Sequence, residues 1–323
     1  VTREAPAEVG VDVGGTWLRI RSGGATERRP APSLLNHPRL STDELAELLL
    51  DELLGAAPAD GGRVTVSLGA AMDDRSGRVH GSAPLWGEAR MERDLVGELR
   101  ARRPEVGWHV HNDVTCALAD FAASVAHEGH RQVGYLTVSS GIALKVADLR
   151  TRDLAVDANG LQGEVGHLQT AVPAHLPQLL GLPCECGGTG HLASVSSGPA
   201  IARVAEALGT PGFRADTFAD RLAAGDPEAA ALLAAVTFPV AQLLRWLRAT
   251  HPLLDLVGIG GGVAEGLGPY YEDALRAQLA QDSGYFEGGT PSGPGVRVLR
   301  PGEVDPIRGA RRMADGFLTV VTS

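Results

Sequence analysis

One local pattern, an apolar β-branched run that ends on small residues, occurs three times in this chain, at residues 11–16, 137–141 and 257–262, with no fixed-period repeat joining the copies. It constrains the fold more than any other feature. A strand that stops on glycine or serine presents backbone N–H groups at its end, and without Cβ atoms in the way those amides can approach an anion such as phosphate. The first copy, in "EVGVDVGGTWLRIRSGG", predicts a strand, a tight turn at Gly14 and Gly15, and a second strand returning as a hairpin. The second, in "GYLTVSSGIALKVADL", predicts a hairpin whose turn holds Ser139, Ser140 and Gly141. The third, in "LLDLVGIGGGVAEG", predicts a buried strand entering a helix through Gly260, Gly261 and Gly262.

The segments between these turns alternate in the same way. Ser41 and Glu44 form a capping-box pattern ahead of the amphipathic "TDELAELLLDELL", and residues 63–71 read as a strand. "GWHVHND" predicts a strand that stops at Asn112 and Asp113, and helical spacing follows in "VTCALADFAASVAHE", so Asp113 falls at a strand-to-helix junction. Helices are expected from "SSGPAIARVAEAL", from Asp226 through Arg248 with a kink near Pro239, and around "YYEDALRAQLAQ". "EGGTPSGPG" reads as a loop, "VRVLR" as a strand, and the tail from Asp305 as a helix. At 323 residues the chain exceeds the usual single core. The expected division is a smaller N-terminal α/β domain, 1–113, and a larger α/β domain, 114–304, with the C-terminal helix 305–323 packing back on the first.

Composition narrows the function classes. A net charge of -10 leaves no broad cationic surface for a nucleic-acid backbone, and the Arg28–Arg29 and Arg311–Arg312 pairs read as solvated surface. With 44% apolar residues, no apolar run reaches a membrane span, and "VTREAPAEVG" lacks the apolar core of a signal peptide, so a cytoplasmic protein is expected. Cys116, Cys184 and Cys186 are too few and too unevenly spaced for a disulfide framework, and Cys184-x-Cys186 suits a metal better than a bridge.

Gly14, Gly15 and the Thr16 hydroxyl have phosphate-binding chemistry, and Asp12 beside them offers an oxygen ligand for Mg²⁺, directly or through water. An ordinary hairpin turn has the same composition. Neither a G-x-x-x-x-G-K-[ST] loop nor a clean G-x-G-x-x-G is present. Asp113 has two readings that can coexist. It can cap the helix, or it can take the proton from an acceptor hydroxyl in phosphoryl transfer.

"VGVDVGGTWLR", "HNDVTCALADF", "GEVGH", "CECGGTGHL" and "LVGIGGGVAEG", in this order and at these separations, resemble the ROK (repressor, open reading frame, kinase) family of sugar kinases over residues 9–315. The pairing of Asn-Asp with Glu-x-Gly-His and Cys-x-Cys-Gly carries most of the specificity. The resemblance implies an α/β actin/Hsp70/hexokinase-like fold of two domains closing over ATP and a sugar, in a protein that is commonly a homodimer. It places Asp12, Gly14, Gly15 and Thr16 at the phosphates, Ser139, Ser140 and Gly141 in a second phosphate turn, and Gly260, Gly261 and Gly262 near adenosine. Asp113 becomes the general base, and Asn112, Glu164 and His167 hold sugar hydroxyls beside the small-residue turn of Gly69 and Ala70. The implied acceptor is the primary hydroxyl equivalent to O6 of glucose.

The resemblance also implies a structural zinc held by His167, Cys184, Cys186 and, where the family has a third cysteine, His191, with His175 as a spare; Cys₂His₂ is a sound zinc set. Three departures bear on the substrate. Ala193 stands where the family commonly has a Glu at the anomeric end of the sugar, Gly69–Ala70 replaces an expected Pro-Gly turn, and Ala143, Leu144 and Lys145 replace further glycines, with Lys145 expected in solvent. The reacting end is kept and the C1 end altered. Kinases of kanosamine or of C7-cyclitols are therefore the closer resemblance than a glucokinase, while a DNA-binding regulator or an inactive sugar-binding protein are the competing classes.

Overall fold

Strand β1 (Glu8–Val13) is buried from Val9 to its end, and other strands cover both of its edges. On one side β2 (Trp17–Ser22) returns antiparallel in the expected hairpin, Val13 opposite Leu18, and β3 (Ala25–Pro30) follows it. The chain then crosses over through α1 (Thr42–Ala56) to β4 (Gly62–Leu68), which pairs with β1 in parallel, as a crossover helix allows. The capping box forms as its residues dictate: Ser41 Oγ accepts from the Glu44 amide at 3.3 Å, and Glu44 Oε2 accepts from the Ser41 amide at 2.7 Å. A three-stranded sheet of β5 (Ala71–Asp73), β6 (Arg78–Gly81) and β7 (Arg90–Asp94), interrupted by the short α2 (Ala83–Trp86), has no counterpart in the sequence reading. Its strands are too short to show an alternating pattern. After α3 (Leu95–Arg102), β8 (Val106–Asn112) pairs parallel to β4 and runs directly into α4 (Asp113–Val125).

The hairpin of β9 (Gln132–Val138) and β10 (Ile142–Asp148) opens the second unit, Val138 opposite Ile142, with β11 (Asp153–Val156) beyond it in the chain. Residues 163–191 carry only short 3-10 turns before α5 (Leu192–Ser196), α6 (Ala200–Ala207) and α7 (Phe218–Ala223). Helix α8 (Pro227–Thr250) starts at Asp226, whose carboxylate accepts from the Glu228 amide at 2.9 Å, and it continues through Pro239. By length and composition α8 could cross a membrane, contrary to the expectation that no run reaches that size. However, 61% of its most apolar window is buried, with Leu232, Val236, Val240 and Leu244 in the core of its unit. β12 (Leu254–Gly260) then pairs parallel with β9, followed by α9 (Gly262–Leu267), α10 (Pro269–Leu279) and β13 (Gly295–Val298).

The computed structural model describes residues 7–281 and 295–322; the expected loop at 287–295 lies outside them except for Gly295. The tail departs from expectation. Helix α11 (Pro306–Ala314) stops early, Gly316 turns the chain at φ 75°, and β14 (Thr319–Thr322) pairs parallel with β11. The β-branched run Thr319, Val320, Val321 and Thr322 favours a strand over a continued helix. α11 lies against β1 and α4 so closely that a Cβ on Gly10 would sit 2.3 Å from Ile307 Cγ2, and one on Gly309 would sit 1.8 Å from the Cys116 carbonyl. Packing divides the chain into Val1–Val125 with Arg150–Gln162 and Val304–Ser323, and Ala126–Leu149 with Gly163–Glu303. The boundary expected at 113/114 would cut the first turn of α4, which stays with β8 in one unit.

Candidate active site

In the first unit three of the expected residues converge on one point. Gly69 ends β4 with its amide donating to Val13 O at 2.9 Å, and a Cβ at Gly69 would lie 3.6 Å from Asp113 Oδ2 and 3.8 Å from Gly14 Cα. The first glycine turn and the Asp113 carboxylate therefore face the same small space, which glycine keeps open. Asp12 is buried, its Oδ1 accepting from Ser67 Oγ at 2.8 Å and its Oδ2 from Arg19 Nε at 3.0 Å. Both Ser67 and Arg19 were missed by sequence reasoning. Gly14 closes the turn through its amide to Trp17 O, Thr16 is exposed, and Gly15 sits where a Cβ would meet the Pro84 carbonyl at 2.7 Å.

The junction at Asn112 and Asp113 decides the capping question. Asn112 Oδ1 accepts from the Val114 and Thr115 amides at 3.0 and 3.2 Å, so Asn112 caps α4. Its Nδ2 donates to Ala70 O at 2.8 Å and to Asp113 Oδ1 at 3.2 Å. Both amide hydrogens and both oxygen lone pairs of Asn112 thus have partners within the protein, on Ala70, Asp113 and the helix. Asp113 Oδ1 also accepts from the Val114 amide at 2.9 Å. Beneath the junction lies Asp74, which no motif singled out; its side chain is fully buried and accepts from the Asn112 amide at 2.7 Å and from Thr115 Oγ1 at 2.6 Å.

The second unit brings the other two glycine turns together. Ser139 N donates to Gly141 O at 2.9 Å, and a Cβ on Gly261, whose φ is 95°, would lie 2.8 Å from Val138 O, while one on Gly262 would lie 3.5 Å from Ser139 Oγ. A Cβ on Gly260 would strike the Tyr135 hydroxyl at 2.3 Å. Ser140 is exposed. Glu265, its carboxyl raised by burial, accepts from the Gly261 amide at 2.8 Å and so occupies one donor of that turn.

The glycines of "GEVGH" have a plain cause. A Cβ on Gly163 would lie 2.0 Å from Leu144 O, and one on Gly166 would lie 2.3 Å from Ile142 O, so the segment lays its backbone directly along β10. Glu164 and His167 are carried on it, with His167 Nε2 4.0 Å from Glu164 Oε2. Burial raises the Glu164 carboxyl, and the Lys145 charge opposes that rise. Lys145 itself is 6% exposed, which corrects its expected place in solvent: β10 carries it into the interior beside Gly163.

The other face of His167 meets the cysteines. His167, Cys184, Cys186 and His191 place their ligand atoms within 4.8 Å of one another, with Cys184 Sγ 3.8 Å from His167 Nδ1 and Cys186 Sγ 3.3 Å from His191 Nδ1. Four ligands at tetrahedral zinc, about 2.0 to 2.3 Å from the metal, stand at comparable separations, so this donor set fits zinc. His191 takes the fourth corner because Gly188 makes room, a Cβ there being 2.4 Å from the imidazole Cε1; His175 is exposed and outside the cluster. Burial pushes the Cys184 thiol up and His167 down, so binding a metal there releases protons from sulfur more than from imidazole. Cys116 is fully buried elsewhere, its thiol held well up by burial. Ala193, on α5, is buried and offers only a methyl group.

The ROK family profile matches residues 8–295. The chain is 41% identical to the 2-epi-5-epi-valiolone 7-kinase of Actinoplanes sp., over 93% of this chain and 90% of that one. It is 30% identical to the C(7)-cyclitol 7-kinase of Streptomyces hygroscopicus subsp. jinggangensis, over 86% and 85%. The fold is shared with a ROK family glucokinase from Streptomyces griseus, solved with glucose and AMPPNP, at a TM-score of 0.70 and 19% identity, covering 95% of this chain and 98% of that one.

Proposed function

The chain belongs to the ROK family, and from that premise we propose that it is an ATP-dependent kinase that phosphorylates the primary hydroxyl of a C7-cyclitol, with Asp113 as general base. The convergence of Asp113, Gly69 and Gly14 carries this reading, because transfer needs a carboxylate at the acceptor hydroxyl and a donor-rich turn at the phosphates, side by side. The two relatives named as cyclitol 7-kinases, matched over most of their length, support a cyclitol, and the buried methyl of Ala193 supports an acceptor other than glucose.

Asn112 caps α4, steadies the Asp113 carboxylate and holds the Gly69–Ala70 turn through Ala70 O, and the Asp113 carboxylate takes the acceptor proton. Glu164 accepts from ring hydroxyls and His167 orients them through Nε2. Gly14, Gly15, Thr16, Ser139, Ser140 and Gly141 donate to phosphate oxygens, and Gly260 to Gly262 lie near adenosine. ATP supplies the γ-phosphoryl group, and Mg²⁺, where bound, offsets its charge. Asp12 would hold Mg²⁺ through water, since both of its oxygens already accept hydrogen bonds and Mg²⁺ keeps much of its hydration. Zn²⁺ would tie His167, Cys184, Cys186 and His191, fixing His167 by Nδ1 so that Nε2 is aimed at Glu164 and substrate. Three free cysteines, two of them in this cluster, support a reducing, cytoplasmic setting. A homodimer rests on the family resemblance alone.

The test is Asp113→Asn. Its turnover with a C7-cyclitol is expected to fall about 10²–10⁴-fold while calorimetry shows acceptor binding within a few-fold of wild type. Near-normal turnover removes Asp113 from the base role.

A further inference from the structure

Lys145 is a buried cation whose partner within the protein is not a hydrogen-bonded one. It is 6% exposed; among the described residues its ammonium makes no hydrogen bond or ion pair, and it is not one of their buried unpartnered atoms, so the stem is buried and the tip reaches open space. Its position is nevertheless well determined. The Leu144 amide donates to Gly163 O at 2.8 Å, which fixes the register of β10 against the segment bearing Glu164, and the Lys145 Cδ lies 3.3 Å from where a Gly163 Cβ would be. The aliphatic stem therefore runs past Gly163, and the charge acts on the Glu164 carboxylate.

Lys145 is four residues along β10 from Gly141, roughly 13 Å at the usual strand rise. That separation sets the side chain apart from the phosphate turn and beside the acceptor-binding carboxylate instead. The stem of Lys145 is buried while its ammonium ends at open space beside the Glu164 segment, so its donors are available to a molecule bound there. An ammonium offers three donors and no acceptor, whereas a carboxylate offers acceptors alone. Side by side, they can read a ring edge on which one substituent donates and its neighbour only accepts, and a ring oxo group is a substituent that only accepts.

We propose that Lys145 is a substrate-contacting, specificity-determining residue that donates to a ring carbonyl oxygen of the acceptor while Glu164 takes the adjacent hydroxyl. This rests on the reading of Glu164 as part of the acceptor site. It makes a polyhydroxylated cyclic ketone the preferred acceptor class, ahead of the corresponding alcohol. A site built to donate to one oxygen discriminates strongly against a compound that lacks it, because the donor, covered by the bound acceptor, is then left unpaired.

The experiment compares Lys145→Met with wild type on three acceptors: 2-epi-5-epi-valiolone, its ring-reduced alcohol and glucose. In Lys145→Met the KM for the ketone is expected to rise about 10- to 100-fold, the preference for ketone over alcohol to collapse, and the KM for ATP to stay within about threefold. Lys145→Gln, which keeps a donor, should retain part of the preference and serves if the methionine variant does not fold. A folded variant with unchanged ketone KM and unchanged preference overturns the assignment. Wild type that phosphorylates none of the three overturns the kinase reading itself, and turnover of glucose alone overturns its cyclitol acceptor; either result is distinct from a failure at Lys145.

Discussion

At the scale of single residues, the acceptor-proton site is a question of which oxygen is already committed. Asn112 commits its amide to Ala70 O, Asp113 and the first turn of α4, and Asp113 Oδ1 shares the Val114 amide with it. Asp74 holds the arrangement from below through the Asn112 amide and the Thr115 hydroxyl. Removing it strands two buried donors, each worth about 1–3 kcal/mol. Asp74→Ala is therefore expected to lose about 2–4 kcal/mol in denaturant unfolding and to lower turnover more than it raises acceptor KM, while a loss below about 0.5 kcal/mol contradicts the role. Asn112 and Asp113 were legible because a strand signal meets a helix signal there. Asp74 was not, since a carboxylate that follows a three-residue strand carries no periodic signal, and its partners lie 38 and 41 positions away.

At the scale of elements, residues 163–191 illustrate what a motif encodes. The two glycines of "GEVGH" exist because the backbone lies against Leu144 O and Ile142 O, and Gly188 exists because the His191 ring occupies the space of its absent side chain. Beyond the backbone bridges Gln169–His191 and Pro183–Thr189, a metal bound by the Cys₂His₂ cluster would cross-link this segment of little regular structure. Metal analysis is expected to find about one zinc per chain, and chelation to lower the melting temperature and raise the acceptor KM together, because His167, a member of the cluster, is also proposed to contact the acceptor. Metal-free protein with unchanged melting contradicts this. The cluster was legible from residue type and family resemblance. The early stop of α11 was not, because the helical signal around "PIRGARRMADG" hid the strand beyond Gly316 that pairs with β11. The burial of Lys145 was equally hidden, since a lysine on a strand ordinarily points to water and only the contact with Gly163 shows that it does not.

At the scale of the whole molecule, the three glycine turns recognised at the outset divide between the two units, one with Asp12 and Asp113, two packed against each other at Ser139 and Gly262. The α/β class, the hairpins and the order of elements were legible because each turn is preceded by an apolar run of strand length. The long apolar helix α8 is the counterexample at this scale: its composition passes for a membrane span, and its burial identifies it as the core helix of the second unit. The central claim is that this molecule moves a phosphoryl group from ATP to the primary hydroxyl of a C7-cyclitol. The most direct measurement is the product formed with ATP, Mg²⁺ and equal amounts of 2-epi-5-epi-valiolone and glucose, read by ³¹P and ¹³C NMR. The account expects a single phosphomonoester at C7 of the cyclitol, with kcat/KM exceeding that for glucose by roughly 100-fold; glucose 6-phosphate as the main product, or no phosphomonoester at all, would contradict it.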